Sequence, residues 1–502
     1  MRLCVVGAGY VGLVSGACFA DVGHSVVCVD NDRKKIDTLT DGAIPIYEPG
    51  LEALIGANIE AERLSFSADL AASVSGADAL FLAVGTPSRD IDGWPDLSSI
   101  YAVARAAAPH LDDDAVVVVK STVPLGTGDE VERILREARP ESEIRVASNP
   151  EFLRAGSAVK DFQHPDRIVV GADDARTREV MRQIYAPLIE RNAPVLYTSR
   201  RSAELIKYSA NALLATKIAF INEIAELCER GDANVLEVAR GVGLDERIGG
   251  RFLDAGPGFG GSCFHKDALA LARMGESHQA PMRIVEAVLH SNECRKRAMV
   301  KKVAAALGKP LRGKTIAVLG LTFKANTDDM RDAPSITLVA ALIDAGARVR
   351  AFDPAGMEVA RTVLPLEVVY AGSAYQAADK ADAVVLMTEW PEFRRLDLGR
   401  IARRLKAPIV VDLRNFYEPQ DVIVRGLEYH GIGRTPRCPS RQPESRKNGD
   451  LRPIRHNGHQ NGKASAAQLS RRGAVKWPRH EQSDDQKDVG RRVVMEIGRS
   501  SS

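Results

Sequence analysis

The sequence contains few cysteines, and none has the spacing of a metal site or a disulfide framework. Seven cysteines occur among 502 residues, widely separated and without a Cys-x-x-Cys pair. Disulfide-stabilised domains and structural zinc sites need paired or clustered cysteines. We therefore expect free thiols in a reducing compartment, and we predict a cytoplasmic protein without a metal site.

The sequence also lacks a long apolar run. No segment approaches the roughly 18 uninterrupted apolar residues that a membrane-spanning helix needs. The apolar N-terminus, MRLCVVGAGYVGLVSGACFA, contains glycines at four positions and leads directly into a second strand pattern. We interpret it as buried core and not as a signal peptide, and we predict no membrane partner.

An excess of one charge is absent overall, since the net charge is +2, but one segment is basic. Residues 434–502 hold sixteen Lys+Arg and seven Asp+Glu, which leaves the rest of the chain mildly acidic. The segment is poor in apolar residues, a composition typical of a disordered tail. Trp477 is its one aromatic residue, so stacking groups are lacking, and we predict no nucleic-acid partner.

The chain is too long for a single core. Residues 1–200 alternate short β-branched runs with helical patterns, and residues 311–433 do the same, whereas residues 201–300 hold long helical runs. This alternation predicts an α/β fold in which two Rossmann-like, doubly wound parallel sheets are joined by a long central helix within a helical region. A disordered tail, residues 434–502, would follow.

A glycine-rich turn follows the first predicted strand. In VVGAGYVG the pattern Gly-x-Gly-x-x-Gly falls at Gly7, Gly9 and Gly12, where a helix begins. In a dinucleotide site these glycines permit the tight turn, the approach of the pyrophosphate and close helix packing, respectively. Asp30 ends the second strand, near the position expected for a carboxylate that binds ribose. Because Asp30 would repel a 2'-phosphate, we predict NAD over NADP, a preference that the nearby Lys35 weakens.

A second glycine run precedes a cysteine in GFGGSCFHKD, residues 258–267. A thiol beside a nicotinamide can capture an aldehyde, pass to a thioester and release an acid on hydrolysis. Cys263 is either such a nucleophile or a small buried residue in a turn. Lys207 and Asn211, spaced i, i+4 in a helical pattern, would share one face, although solvated surface positions are the alternative for both.

An ordered series of motifs resembles the UDP-glucose 6-dehydrogenases of the UDP-glucose/GDP-mannose dehydrogenase family. The series runs in order from the N-terminus to the residues before the basic tail: GAGYVGL, IPIYEPGL, VGTP, KSTVPLGT, NPEFLRAG, HPDRIVVG, AELIKYSANALLATKIAFINE, GFGGSCFHKD, LGLTFKANTDDMRDAPS, MTEWPEF and DLRN. The resemblance implies oxidation of UDP-glucose to UDP-glucuronate with two NAD reduced per sugar. It also implies an NAD-binding region at 1–200, a dimerisation region at 201–300, a UDP-sugar-binding region at 311–433, and a homodimer or higher homo-oligomer.

The same resemblance implies roles for individual residues. The implied catalytic set is Cys263 as nucleophile, Lys207, Asn211 and Thr122 as groups that hold the reacting oxygen, Asp267 in proton transfer, and Glu151 in acid–base work. The implied cofactor contacts are Gly7, Gly9, Tyr10, Val11, Gly12, Asp30, Lys35, Thr86, Thr122 and Arg331. The implied substrate contacts are Glu151, Phe152, Leu153, Arg154, Lys207, Asn211, Phe252, Gly256, Gly260, Lys324 and Arg414, with Arg247 reaching into the neighbouring subunit.

Two positions depart from the family pattern. Ala155 stands where Glu is common, so one contact with NAD is missing or replaced. His265 stands where Pro is frequent, and we interpret it as a variable neighbour of Cys263 and not as a base.

Other activities remain open from the sequence. A dehydrogenase of GDP-mannose or of a UDP-N-acetylhexosamine would share the glycine triplet, the thiol and the lysine, although IYEPGL, TEW and the aromatic residue after Cys263 favour UDP-glucose. A non-catalytic nucleotide-binding protein would be expected to lack Cys263, Lys207 or Asp267, and all three are present.

Overall fold

The computed structural model describes residues 1–89, 91–308 and 310–436, all within one compact unit. No helix in these ranges is long and apolar enough to cross a membrane. The predicted disordered tail lies outside the described residues from position 437 onward. The domain limits drawn from the sequence stay predictions.

Eight strands form the sheet of the first α/β region: β1 (Arg2–Val6), β2 (Ser25–Val29), β3 (Leu64–Ser67), β4 (Ala79–Leu82), β5 (Val116–Val119), β6 (Arg145–Ser148), β7 (Ile168–Gly171) and β8 (Val195–Thr198). Their order is β3-β2-β1-β4-β5-β6-β7-β8. The pairs are parallel except that β6 and β7 meet antiparallel at Ser148 and Gly171. The predicted Rossmann-like sheet is confirmed. β7 and β8 are parallel to each other but run antiparallel to β6. Apolar periodicity could not reveal this reversal, because periodicity carries no strand direction.

Helices accompany this sheet: α1 (Tyr10–Asp21), α2 (Arg33–Thr40), α3 (Leu51–Glu60), α4 (Leu70–Val74), α5 (Ser98–Ala107), α6 (Thr127–Ala138), α7 (Ala158–Gln163) and α8 (Ala175–Ile189). Successive residues of β1 enter opposite cores, Leu3 and Val5 on one face and Cys4 and Val6 on the other. A sheet buried on both faces therefore appears in the sequence as a continuous apolar run. The loops at its carboxyl edge are left to carry function.

The central region is helical, as predicted, with α9 (Arg200–Gly231), α10 (Val235–Gly243), α11 (Phe264–Ser277) and α12 (Arg283–Ala306). The α9 helix begins after Ser199, whose side chain accepts the Ser202 N–H, and ends at Asp232 in a left-handed conformation. Both α11 and α12 pack against α9. One buried face of α9 thus lies along the helix that follows Cys263.

The second α/β region contains a six-stranded parallel sheet: β9 (Thr315–Leu319), β10 (Arg348–Phe352), β11 (Val369–Tyr370), β12 (Ala383–Leu386), β13 (Ile409–Asp412) and β14 (Glu428–His430). Its order is β11-β10-β9-β12-β13-β14. Its helices are α13 (Pro334–Asp344), α14 (Met357–Val363), α15 (Ala374–Ala378), α16 (Pro391–Arg394), α17 (Leu398–Arg404) and α18 (Pro419–Ile423). The prediction of a second Rossmann-like sheet is confirmed.

Candidate active site

Cys263 lies at the N-terminal cap position of α11. Its Sγ is 3.4 Å from Ser262 Oγ. Burial raises the pKa of the Cys263 thiol; the Lys207 ammonium acts in the opposite direction, and the Glu151 and Asp267 carboxylates add to the increase. At neutral pH the sulfur therefore carries its proton, and a nearby base must accept that proton before the thiolate can attack.

Lys207 and Glu151 form a buried ion pair close to this thiol. Lys207 Nζ lies 3.0 Å from Glu151 Oε1, and the two side chains are 4% and 5% exposed. Burial alone would raise the pKa of the Glu151 carboxyl, but the Lys207 ammonium and the Leu153 N–H lower it overall. The pair supplies fixed charges of both signs on two buried side chains.

Asn211 and Asp267 form a second buried contact from the same helix face. Asn211 Nδ2 donates to Asp267 Oδ2 at 2.7 Å, and Asp267 is 1% exposed. Lys266 Nζ lies 2.8 Å from the other carboxylate oxygen. The predicted shared face of Lys207 and Asn211 is confirmed, and the alternative of two solvated surface residues is wrong, because both side chains are buried.

A cavity of about 620 Å³ opens onto these groups. Ten residues implied by the resemblance lie on its wall: Glu151, Phe152, Leu153, Arg154, Lys207, Asn211, Phe252, Gly260, Cys263 and Lys324. Arg167 stacks on the Phe152 ring, 3.7 Å from its centroid. The wall thus joins the segment after β6, the α9 face, the cysteine loop and the second α/β region.

Other implied residues lie away from this wall. The Thr122 carbonyl accepts a hydrogen bond from Thr86 Oγ1 at 2.9 Å. Arg247 has a side chain 88% exposed and pairs with Asp245 at 2.6 Å. Asp267 does not line the cavity itself and contacts the wall residue Asn211.

Gly256 and Gly260 shape the loop before Cys263. A Cβ on Gly256 would lie 3.3 Å from Arg414 Nη1, and one on Gly260 would lie 2.2 Å from the Asp332 carbonyl oxygen. Arg414 Nη2 in turn donates to the Phe323 carbonyl at 3.0 Å. Glycine at 260 is therefore required by packing against the chain itself, in addition to its implied role as a substrate contact.

The turn after β1 has the geometry expected for a dinucleotide. Gly7 has φ +107°, and a Cβ there would lie 2.6 Å from the Ala83 carbonyl oxygen. A Cβ on Gly9 would meet no atom of the described residues within 4 Å. Asp30 Oδ2 accepts from Ala8 N at 2.8 Å and from Lys35 Nζ at 2.9 Å. Space at Gly9, the N-terminus of α1 and the Asp30 carboxylate together fit a pyrophosphate and a ribose.

Glu48 links this turn to the segment that contains Ala155. Its carboxylate accepts from the Tyr10 hydroxyl, from Gly156 N at 2.6 Å and from Ala158 N at 2.7 Å. The motif IYEPGL contained this residue, but nothing in the motif indicated its partners.

Two further cofactor candidates have contacts within the chain. Val11 is partly buried and packs against the core that contains Leu3 and Val5 of β1. The Arg331 guanidinium pairs with Asp329 at 2.7 Å, and its pKa is raised by that hydrogen bond first and also by the Cys263 sulfur.

His265 lies in a charged cluster with residues of α12 and of the second α/β region. Its Nδ1 is 3.5 Å from Asp332 Oδ2 and 3.9 Å from Glu293 Oε1. Lys296 Nζ lies 2.6 Å from Asp332 and 2.5 Å from Glu293. Although a histidine and two carboxylates resemble a metal-ligand set, the ammonium already balances part of their charge.

One buried cation was not singled out from the sequence. Lys120, 5% exposed, lines the cavity and donates to Asn149 Oδ1 at 3.1 Å and Tyr185 OH at 3.3 Å. Burial lowers its pKa to about 8, opposed by the Glu151 carboxylate. The sequence feature that could have identified Lys120 is its position in the motif KSTVPLGT, two residues before Thr122.

Three family models match this chain along most of its length. The NAD binding domain of the UDP-glucose/GDP-mannose dehydrogenase family matches residues 1–189, the central domain 201–294 and the UDP binding domain 317–419. The chain belongs to this family. The NAD-binding turn and the nucleotide-sugar substrate class predicted from the sequence agree with these domains.

Relatives within the family extend the comparison. A UDP-glucose 6-dehydrogenase of Rhizobium meliloti is 56% identical over 436 residues, which cover 86% of this chain and 100% of the relative. The solved UDP-glucose dehydrogenase of Pyrobaculum islandicum is 41% identical, with a TM-score of 0.80 over 86% of this chain and 98% of that one. A UDP-D-ManNAc dehydrogenase of Pyrococcus horikoshii is 26% identical, with a TM-score of 0.76 over 86% of this chain and 99% of that one.

Proposed function

We propose that this family member is an NAD-dependent UDP-glucose 6-dehydrogenase that converts UDP-glucose to UDP-glucuronate. The observation that carries the proposal is the cluster of Cys263, Lys207, Glu151, Asn211 and Asp267 beside one cavity. The names of the more similar relatives support UDP-glucose as the sugar nucleotide.

The reaction consists of two oxidations and one hydrolysis. The C6 alcohol loses a hydride and a proton to become an aldehyde, and the Cys263 sulfur adds to its carbon to give a thiohemiacetal. Loss of a second hydride and proton gives a thioester, and water then cleaves the carbon–sulfur bond, which releases the carboxylate and restores the thiol. When bound, NAD supplies the hydride acceptor for both oxidations, so two NADH form per sugar.

The described contacts support a role for each group. Lys207 and Asn211 are donors fixed on one helix face, suited to an oxygen that develops negative charge. Glu151 has a lowered pKa and is a carboxylate at neutral pH, suited to accept a proton from water. Asp267 accepts from the Asn211 amide, and we assign to it the proton transfer that the family resemblance implies.

The test is the yield of NADH and product over a panel of nucleotide sugars. UDP-glucose should give two NADH and one UDP-glucuronate, measured by absorbance and mass spectrometry. A preference for a UDP-N-acetylhexosamine, the alternative favoured by the likeness to the Pyrococcus horikoshii structure, would keep the mechanism and change the sugar. Absence of NADH with every nucleotide sugar would contradict the proposal.

We also propose a homodimer formed through one face of α9. Leu213, Phe220 and Leu227 are 64%, 51% and 66% exposed and are spaced seven residues apart, so they form one apolar stripe. Lys217 Nζ donates to the Ile248 carbonyl at 3.0 Å, which holds the segment next to Arg247 beside α9. A two-fold contact there would bring Arg247 towards the second copy.

The dimer is tested by sedimentation. Phe220→Glu should produce monomers, while Leu366→Glu, at a residue 96% exposed on the second α/β region, should not. Arg247→Ala should weaken substrate binding within an intact dimer. A fully active monomer would contradict the proposal.

The remaining proposal concerns location. The cysteines of the described residues, Cys4, Cys18, Cys28, Cys228, Cys263 and Cys294, are free thiols. This state supports the cytoplasm as the proposed compartment.

A further inference from the structure

Glu204 is a buried carboxylate to which the proposed chemistry assigns no role. It lies on α9, three residues before Lys207, and is 3% exposed. Its Oε2 accepts from Gly126 N at 2.7 Å, and its Oε1 accepts from Gly128 N at 2.8 Å and from Ser148 Oγ at 3.0 Å. A buried carboxylate with three donors is a fixed structural link.

The three partners belong to segments that carry proposed site residues. Gly126 and Gly128 follow Thr122 within one loop and the first turn of α6, and Ser148 precedes Glu151 at the end of β6. These segments approach closely, since a Cβ on Gly128 would lie 2.8 Å from Ser148 Oγ and 3.0 Å from Glu204 Oε1.

On α9 itself, Glu204, Lys207 and Asn211 follow an i, i+3, i+7 spacing and share the buried face. A shift of the Glu204 carboxylate would therefore move the helix face relative to both loops at once. One carboxylate thus connects the segments that carry Thr122, Glu151 and Lys207.

We propose that Glu204 is a positioning residue whose ionised carboxylate holds the loop 122–128 and the end of β6 in register with α9. The inference rests on the proposed function, because it concerns the reaction that Glu151 and Lys207 serve. It adds a residue that does not line the cavity and acts through the geometry of Glu151 and Lys207, which do.

The surroundings of Glu204 predict a dependence on pH. Burial raises its pKa to about 7, against the hydrogen bonds from Gly128, Gly126 and Ser148. As pH falls through this value, the carboxylate gains a proton and holds its donors less strongly. The rate of turnover should therefore fall on the acid side with an inflection near pH 7.

Other charged or titratable groups face Glu204 from three elements. Asp129 on α6 raises the pKa of Glu204 further, but it is itself paired with Arg201 at 2.7 Å. Tyr101 on α5 and Tyr208 on α9 both have pKa values raised by burial first and by Glu204 among their charged neighbours. Both tyrosines are neutral near pH 7, so they do not titrate with Glu204.

The first experiment compares Glu204→Gln with Glu132→Gln. The amide of Gln has one acceptor oxygen, so one of the two loop N–H groups would lose its acceptor. We expect kcat to fall about tenfold with KM changed less than about twofold, and the acid inflection to disappear. Glu132 accepts from Arg200 Nη2 at 2.6 Å in the same α6–α9 contact but does not hold the loop amides, so Glu132→Gln should match wild type.

A second variant, Ser148→Ala, tests the positioning role of Glu204 even if Glu204→Gln fails to fold. Ser148→Ala keeps the carboxylate and removes a hydroxyl that favours its ionised form, so the inflection should move to higher pH by about half a unit. A group that only fills space would not move it. An unmoved inflection in Ser148→Ala, or wild-type kcat and inflection in Glu204→Gln, would overturn the inference. If wild-type enzyme forms no NADH from any nucleotide sugar, it is the proposed function that fails.

Discussion

The two α/β regions are built on one plan. β1 leads into Gly7 and β9 into Gly320, with φ of +107° and +87°. The N–H of each glycine donates to the last residue of the neighbouring strand, at 2.7 and 2.8 Å. The strand order of the second sheet, β11-β10-β9-β12-β13-β14, repeats that of the first six strands of the first sheet. Backbone topology alone would assign the same ligand to both.

The carboxylate after the second strand separates the two regions. Asp30 is partly exposed and accepts from Ala8 N and Lys35 Nζ. Asp353 is 1% exposed, and Trp390 Nε1 at 3.0 Å is among the several donors that use its oxygens. The Asp30 carboxylate can still accept a hydrogen bond from a ribose hydroxyl. The Asp353 carboxylate is buried, and its oxygens already accept from donors of the protein itself. Function therefore depends on which donors a carboxylate has already satisfied, and not on the fold that presents it.

The largest expected effect concerns Cys263, at the end of the loop that precedes α11 and contacts the second α/β region. Gly261 N donates to the Arg331 carbonyl of the second region at 2.8 Å, while the ion pair near Cys263 comes from the first region and α9. Cys263→Ala should lower steady-state turnover by at least about 10³-fold and leave the Kd of UDP-glucose and NAD within about threefold, because the sulfur is needed for the thioester and not for binding.

Stopped-flow NADH formation and calorimetric binding would measure the two quantities. Cys294→Ala, at an exposed thiol, is the matched control and should behave as wild type. If Cys263→Ala still gave two NADH and free uronate at the normal rate, Cys263 would be a small packing residue, and the reaction would not need its thiol.

The next effect separates Asp353 from Asp30 by stability. In Asp353→Asn one carboxylate oxygen becomes an NH2 group, which would face either the donors of Oδ2, such as Leu321 N, or those of Oδ1, such as Gly356 N. The free energy of unfolding should fall by about 2–4 kcal/mol, since buried donors lose their acceptor. The KM for NAD should be unchanged, as measured by urea unfolding and initial rates. A large rise in that KM would show that the second carboxylate also serves the cofactor.

A smaller effect is expected at Asp30. Asp30→Asn should raise the KM for NAD about tenfold, or about 1.4 kcal/mol, through loss of a charged acceptor for ribose. The discrimination of wild type against NADP, expressed as kcat/KM, should narrow in the variant because the repulsion of a 2'-phosphate is removed. Equal efficiency of wild type with both cofactors would contradict the role of Asp30 and direct attention to Lys35.

The same comparison explains what the sequence could predict. Strand, glycine triplet and Asp30 occur within one short segment, and the shared face of Lys207 and Asn211 follows from their spacing, so local pattern suffices for both. The contacts Lys207–Glu151 and Asn211–Asp267 each join residues 56 apart, and only the packing of α9 brings them together. The burial of Asp353 and Glu204 depends on partners from distant segments, which no local pattern contains. Motif resemblance supplied the identity of Glu151, but not its partner.

The smallest effect concerns the link between the central helices and the second region at His265. His265 contributes one contact to Asp332, at 3.5 Å, whereas Lys296, 3% exposed, pairs with Asp332 and Glu293 at 2.6 and 2.5 Å. A partly exposed pair is worth about 0–1 kcal/mol, and proline is tolerated in the first turn of a helix because the N–H groups there lack intrahelical partners. His265→Pro should therefore change kcat by less than about twofold and leave the pH profile unaltered. Lys296→Met should instead lower the melting temperature clearly, because it leaves two carboxylates facing each other.

A tenfold or greater loss of kcat in His265→Pro, with a changed pH profile, would make the histidine beside the thiol a base and would contradict its interpretation as a variable neighbour.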